Sequence, residues 1–313
     1  MKKIFLLAMT VALLGFTDVA SAGFLSYFDT SGQSLTKVKF TNYEILLRQN
    51  DSTGQIVIGS HQFDPVAPGS VAVGDFAVQI LQASSIAWET SPEQTKWSYV
   101  ANGPEMTAYA VQEVLTNVAT GSLDSDRTTS LFEQTYKVAR LDPFGIVNVT
   151  NNEISHIYFD ETPGIVFTSA GTLQQGVNSA TDGTLFAAFG FGAAVDAGRG
   201  GAPGANAALK SEELELPPVL LDVSLKGGLN IRTNIPFLTF LPVLNKASYL
   251  PVSTSIESGI AVNPHFATEP WPLKSEDPWR FRVTPEPAST VALLGLGLMG
   301  LFGVAYRRWR WRV

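Results

Sequence analysis

The feature that most constrains this chain is an uncharged stretch near its C-terminal end, from Ala288 to Tyr306. At about 1.5 Å per residue, a helix over this stretch would be about 28 Å long. That length is close to the roughly 30 Å hydrocarbon core of a bilayer. Glycines within the stretch would weaken a helix in water, but they are tolerated in lipid. The sequence therefore predicts one transmembrane helix over residues 288–306.

The segments on either side of this stretch predict its orientation. A basic tail over residues 307–313 follows it, and its cations are Arg307, Arg308, Arg310 and Arg312. Arginines next to a membrane span favour the cytoplasmic side, so the body is predicted outside. A buried C-terminal helix is the alternative, but buried helices of this length seldom lack every charge and then end in arginines. A lipid-anchor signal would end in the hydrophobic tail itself.

Pro285-Glu286-Pro287 precedes the apolar stretch, and its prolines keep the backbone extended. This order of a Pro-Glu-Pro segment, an apolar stretch and a basic end resembles the PEP-CTERM sorting signal of Gram-negative bacteria. The resemblance covers residues 284–313. It implies an exported protein that a membrane-embedded exosortase cuts near Pro285, Glu286 and Pro287. Proteins with this signal are similar only in the tail. The resemblance therefore concerns where the protein is sent and does not indicate the biochemical activity of the body.

The N-terminal segment has the three parts of a secretory signal peptide. Lys2 and Lys3 precede an apolar run over residues 4–16, and Ala20-Ser21-Ala22 has the small residues that signal peptidase requires. Cleavage after Ala22 would make Gly23 the first residue of the mature protein. An uncleaved N-terminal anchor is the alternative, but the apolar run is short for a membrane span.

Prolines divide the rest of the chain. We expect a β-rich extracytoplasmic body over residues 23–264, as one large domain or two smaller ones. Residues 265–287 are rich in proline and predict an extended stalk that ends in the sorting segment.

Charge and composition exclude several kinds of function. Residues 23–285 hold 15 of the 21 lysines and arginines and 26 of the 28 acidic residues, a net charge of −11. Such a body repels nucleic acid. The chain has no cysteine, which excludes disulfides and thiolate metal sites. We expect no cofactor.

Short apolar or alternating segments at roughly ten-residue spacing predict a mainly β body, a β-sandwich or a related all-β architecture. The clearest segments begin at Lys37, Gln55, Asp75, Met106, Gly145 and Ile154. Residues 219–225 and 228–234 predict two paired strands around Lys226-Gly227-Gly228. Helical spacing predicts a few short helices, over residues 128–140, 184–195 and 207–216.

No catalytic motif is found in the body. His61, His156 and His265 lie far apart, and His156 is expected on a sheet surface. The segment from Asp124 to Thr135 begins like a calcium loop, but it lacks the glycine at position six and the glutamate at position twelve. Trp88, Trp97, Trp271 and Trp279 could stack on sugars, but packing in the core or along the stalk is the favoured interpretation.

These observations together favour a non-enzymatic exported protein with a structural or adhesive role at the cell surface or in an exopolysaccharide matrix. The alternative is a surface protein that binds or cleaves carbohydrate, which would need two carboxylates about 5–10 Å apart in an aromatic-lined cleft, or an exposed aromatic platform. The expected partners are signal peptidase, an exosortase, the inner membrane transiently, and extracellular polysaccharide.

Overall fold

The computed structural model describes residues 26–67, 70–121, 131–161, 171–190, 209–216, 220–234, 238–244, 251–252, 254–262 and 270–285. These residues form strands almost throughout, with one α-helix, α1 (Leu173–Thr181). The strands are β1 (Thr36–Gln49), β2 (Ile56–Ile58), β3 (His61–Pro65), β4 (Phe76–Trp88), β5 (Gln94–Ser98), β6 (Glu105–Gly121), β7 (Leu131–Val138), β8 (Glu153–Asp160), β9 (Thr184–Gly190), β10 (Leu209–Leu216), β11 (Leu220–Asn234), β12 (Leu238–Leu241), β13 (Val243–Leu244), β14 (Pro251–Val252), β15 (Thr254–Val262) and β16 (Leu273–Pro285). The prediction of a mainly β body is confirmed.

Eight of these strands pair antiparallel in a circuit that returns to its start. β1 pairs with β4, β4 with β6, β6 with β8, and β8 with β9. β9 then pairs with β11, β11 with β15, β15 with β16, and β16 with β1. A sandwich consists of two separate sheets that face each other. Here the principal strands belong to one sheet that closes on itself.

Two long strands, β6 and β11, are bridged twice. β8 and β9 connect them over one part of their length. Over the other part, β7 pairs with β6, β10 pairs with β7, and β10 also pairs with β11. The circuit is therefore closed at both levels.

The main apolar cluster lies inside the closed sheet. Successive side chains of a strand point to opposite faces, and all eight strands of the circuit contribute buried residues to this cluster. Its members include Val38, Phe40, Leu81, Ala83, Met106, Ala108, Ile157, Phe159, Ala187, Phe189, Leu229, Ile256, Trp279, Phe281 and Val283. The hydrophobic interior thus supplies the stability that the chain cannot draw from disulfides.

A second cluster covers part of the outer face, where α1 packs. Val177 and Ala180 of the helix meet residues of β1, β4 and β6, together with Trp271. The helix begins with a capping box, because the Thr172 side chain accepts from the Gln175 backbone N–H and the Gln175 side chain accepts from that of Thr172. The Thr107 hydroxyl donates to the Ala180 carbonyl at 2.8 Å and ties the helix end to β6.

Three predicted helices are wrong where the structure describes them. Residues 131–138, 184–190 and 209–216 are the strands β7, β9 and β10. Five consecutive residues of β9 are buried, and an apolar run of this kind fits a helix and a doubly covered strand equally well. Pairing with neighbouring strands decides in favour of the strand, which a local pattern cannot show.

Other local predictions also change. Residues 220–234 form one continuous strand, β11, instead of two strands around Lys226-Gly227-Gly228. The strand expected from Gly145 is a loop that ends in a single 3-10 turn, Val149–Asn151. The segments that begin at Lys37, Asp75, Met106 and Ile154 are confirmed as parts of β1, β4, β6 and β8.

The predicted stalk is wrong over residues 273–285, which form β16 inside the sheet. Pro278 had argued against a strand there. The structure tolerates it because β15 pairs with β16 only at positions 279–281, so position 278 has β1 as its strand neighbour.

In the part of the chain described here, no helix is both long enough and apolar enough to cross a membrane. The helix expected over 288–306 and the basic tail over 307–313 lie outside that part, as do the signal peptide over 1–22 and the region around Asp124.

Candidate functional site at the end of the last strand

The last strand carries the body directly into the Pro-Glu-Pro segment. Trp279, Phe281 and Val283 alternate along β16 and point into the closed sheet, with exposed fractions of 3%, 1% and 0%. Arg280 and Arg282 occupy the alternate positions on the outer face. Pro285 is the last residue of the strand. No stalk therefore separates the packed body from the predicted processing residues.

Three strands flank β16 along its length. β1 pairs with residues 273–281 and β15 with residues 279–281. Beyond them β12 takes over, with Phe240 opposite Val283, Thr239 opposite Thr284 and Leu238 opposite Pro285. The Phe240 ring lies 5.9 Å from that of Phe281 and 5.6 Å from that of Phe189, centroid to centroid. Such edge-to-face contacts fix β12 onto the strand end.

A turn at the start of the described chain packs against the same place. The Asp29 carboxylate accepts from the Ser31 backbone N–H at 2.9 Å and from the Ser34 backbone N–H at 2.7 Å. Burial raises the pKa of Asp29, but the hydrogen bonds from Ser31 and Ser34 outweigh it and hold the pKa below its usual value. Gly32 in this turn has a φ of +72°, which suits glycine.

The fit between this turn and β16 is close. A Cβ on Gly32 would lie 2.7 Å from Cγ2 of Thr284 and 3.1 Å from Cδ1 of Leu241. The neighbouring Phe28 ring lies 6.3 Å from the Phe281 ring. The beginning of the described chain and the beginning of the sorting segment therefore lie side by side.

Pro285 is the one predicted site residue that the structure describes. Glu286 and Pro287 follow it outside the described residues, as do the arginines at 307, 308, 310 and 312. Ala20, Ala22 and Gly23 also lie outside, a few residues before Ser26, where the description starts. Sequence reasoning missed β12 and the Asp29 turn. The alternation Trp279-Arg-Phe-Arg-Val283 was the available signal for β16.

A carboxylate group elsewhere on the sheet has unusual electrostatics. Glu105 is 2% exposed at the start of β6 and receives one long hydrogen bond, 3.4 Å, from the Gln82 side chain. Burial, followed by the nearby charges of Asp182 and Asp160, raises the pKa of Glu105 to about 7. Burial also raises the pKa of Asp182. This is a buried acid at a helix end, and it does not line the groove described below.

A second polar group fastens the loop after β7 to the outer face. The Tyr109 hydroxyl donates to Asp142 Oδ1 at 2.5 Å, and burial raises the pKa of Tyr109 well above its usual value. Nε2 of His156 lies 2.8 Å from Glu153 Oε2. Burial raises the pKa of Glu153, but hydrogen bonds from His156 and Asn148 outweigh it and hold the pKa below its usual value. His156 is thus buried beside this loop, and its predicted place on an exposed sheet surface is wrong.

Most candidate stacking tryptophans are parts of the core. Trp97, Trp271 and Trp279 are 9% exposed or less. Trp88 is half-buried, donates its ring N–H to the Tyr27 carbonyl at 2.9 Å, and carries the Lys96 ammonium over its ring. Among the described residues, no group of three or more His, Cys, Asp or Glu side chains could hold a metal ion.

An open groove of about 580 Å³ lies between the β2–β3 hairpin and the start of α1. Apolar side chains dominate its walls, and Phe144 is the aromatic residue among them. The lining residues are Ile45, Gln55, Ile56, Val57, Ile58, Gly59, Pro65, Phe144, Thr172, Leu173, Gln174, Pro270 and Pro272. The lining contains no carboxylate.

Comparison with known protein families identifies the C-terminal segment. The PEP-CTERM protein-sorting motif matches residues 283–308, which include the last three residues of β16. The resemblance proposed from the sequence is thereby confirmed, and the motif marks an exported protein that an exosortase sorts through its C-terminal segment. Comparisons with curated proteins and with solved structures give no match.

Proposed function

We propose that this chain is a non-enzymatic structural or adhesive protein that an exosortase releases to the cell surface or to an exopolysaccharide matrix. The observation that carries the proposal is the sorting motif at residues 283–308, which continues without a linker from the last strand of a packed β body. The signal therefore sorts the closed sheet itself, and processing takes place at the C-terminal end of β16.

The use of polar side chains in the body supports a structural role. The Asp142 carboxylate accepts from the Tyr109 hydroxyl and from the Ile146 backbone N–H. Glu153 accepts from the Asn148 backbone N–H, so both carboxylates hold the loop after β7. Glu105 is enclosed, with an exposed fraction of 2%. Catalytic carboxylates must reach a substrate, whereas these carboxylates are enclosed or hydrogen-bonded within the body.

A carbohydrate-active body is the competing proposal, and the groove favours it little. Sugar-binding sites present flat aromatic faces and hydrogen-bonding groups, whereas this groove is apolar with one phenylalanine. A glycan array probed with purified residues 23–285 separates the two proposals. We expect no discrete oligosaccharide to bind above background. Selective binding of one oligosaccharide class would overturn the structural or adhesive assignment in favour of the carbohydrate-binding alternative.

The sorting step has a direct test in the native host. Glu286→Ala removes the single charge between the two prolines of the motif, and we expect uncut precursor to accumulate in the membrane fraction. Glu276→Ala is the matched control, because Glu276 is an exposed acidic residue on β16, before the motif. Immunoblots of membrane and medium fractions read the result. Equal release of the Glu286→Ala variant and the wild type would contradict the proposal.

Retention and orientation are tested separately. Removal of residues 307–313 takes away the four arginines that are expected to hold this end in the cytoplasm. We expect the shortened protein to lose its fixed orientation and to be cut poorly.

Ala22→Arg should leave the signal peptide attached, because the position before the cut requires a small residue.

A further inference from the structure

The sorting motif begins inside the fold rather than beyond it. The matched segment starts at Val283, and Val283 is fully buried. Residues 283–285 pair with β12, and Leu238 of β12 is 2% exposed. The N-terminal end of the motif is therefore part of a two-stranded pairing that is packed against the interior.

A second element covers the same segment. The turn at Asp29–Ser34 packs so closely on Thr284 that a Cβ on Gly32 would lie within 2.7 Å of Cγ2 of that side chain. We use the term clasp for β12 (Leu238–Leu241) together with this turn. The clasp contacts Val283, Thr284 and Pro285.

A protease that cuts an exposed strand binds its substrate as an extended peptide and pairs with its backbone. In residues 283–285, β12 already occupies that pairing position. An enzyme that binds residues 283–285 through their backbone can do so only after β12 has detached from them. Cleavage of a transiently opened segment follows the population of the open form when opening and closing are fast.

We propose that the clasp controls processing, and that the motif is cut from the state in which β12 is detached from residues 283–285. The folded body thereby protects its own C-terminal junction. Processing is fast before β12 docks and slow after it has docked. This inference rests on the proposed function, because it takes the motif to be a processing signal.

The absence of cysteine from the chain gives a clean test. Thr239→Cys with Thr284→Cys places two thiols on facing residues of β12 and β16. When this pair is oxidised, we expect the precursor to disappear at least about tenfold more slowly in a pulse-chase, because the open form is removed. Reduction should restore the wild-type rate.

The matched control is a disulfide in a distant hairpin, Val57→Cys with Gln62→Cys, which face each other on β2 and β3. It should leave the processing rate unchanged. A loosening variant tests the opposite direction. Phe240→Ala removes the ring contacts with Phe189 and Phe281, and we expect precursor to disappear roughly fivefold faster. Circular dichroism of each variant checks that it has the same secondary structure as the wild type.

The outcomes separate this inference from the proposed function. If Glu286→Ala blocks processing but the oxidised Thr239–Thr284 pair is cut at the wild-type rate, the clasp does not control access and the inference is overturned. If Glu286→Ala is processed normally, the proposed function itself is contradicted, because the motif is then not the processing signal. Slow processing of the locked pair, with rescue by reductant and a normal control hairpin, supports the clasp.

Discussion

At the scale of single residues, Glu105 gives the sharpest test of the electrostatics. Its pKa in the folded protein is about 7, above the ordinary value of 4.5. Between these two values the folded state binds more protons than the unfolded state, so its stability falls as the pH rises. Above pH 7 the folded protein holds a buried charge next to Asp160 and Asp182.

We predict that Glu105→Gln stabilises the body at pH 8 and changes it little at pH 4. The expected gain at pH 8 is on the order of 2 kcal/mol in the free energy of unfolding, from the shift in pKa. Urea denaturation at both pH values measures it, and Glu276→Gln on an exposed position is the control. An identical gain at pH 4 and pH 8 would show that Glu105 is not titrating in this range.

The sequence predicted the sorting motif well and its structural surroundings poorly. The motif at residues 283–308 was recognised because it is local and its three parts follow in order. Val283 and Thr284 were assigned to a stalk, because their partners lie far away, on β12 and in the Asp29 turn. The alternation of residues 279–283 indicates a strand, but it does not show which distant segments that strand contacts.

At the scale of elements, alternation predicted the strands that have one covered and one open face. β1 alternates from Thr36 to Phe40, and it was predicted on that basis. β9 is covered on both faces, so its period of two is lost and a helix was predicted instead. The helix α1 was missed because few of its residues are apolar, although Thr172 and Gln175 form a capping box that could have been seen.

The packing of α1 on the sheet predicts the effect of a small substitution. A Cβ on Gly176 would lie 2.5 Å from Nε1 of Trp271 and 3.0 Å from Cδ1 of Ile80. Trp271 is fully buried and cannot move easily. We therefore expect Gly176→Ala to destabilise the body by about 1–3 kcal/mol, despite the higher helix propensity of alanine.

Thermal unfolding of purified residues 23–285 measures this change. Asn178→Ala in the same helix is the control, because Asn178 is exposed and should tolerate alanine within about 0.5 kcal/mol. A higher melting temperature for Gly176→Ala would mean that the Trp271 side chain moves to accommodate the added methyl group. The packing of α1 on the sheet would then be looser than its contacts indicate.

At the scale of the whole molecule, the closed sheet makes the last strand a structural requirement. β16 pairs with β1, β15 and β12 and contributes three large side chains to the interior. We predict that a chain of residues 23–285 unfolds cooperatively, whereas residues 23–272 fail to form a stable fold. Near-ultraviolet circular dichroism and thermal melts distinguish the two.

Residues 23–285 with Glu276→Ala serve as the control, because this substitution changes β16 without removing it. If residues 23–272 kept the melting temperature of the longer chain, β16 would be an accessory strand. Residues 273–285 would then behave as the extended stalk that their prolines suggest.

The pairing of β1 with β16 has a consequence for the order of events during synthesis and export. Thr36 near the start of the body pairs with Phe281 near its end, so the contact order of the fold is high and folding is expected to be slow. One edge of β1 stays without its neighbour until the thirteen residues of β16 have emerged. An open strand edge pairs readily with other chains. The interval between emergence of the first strand and arrival of the last is therefore the period in which self-association competes with folding.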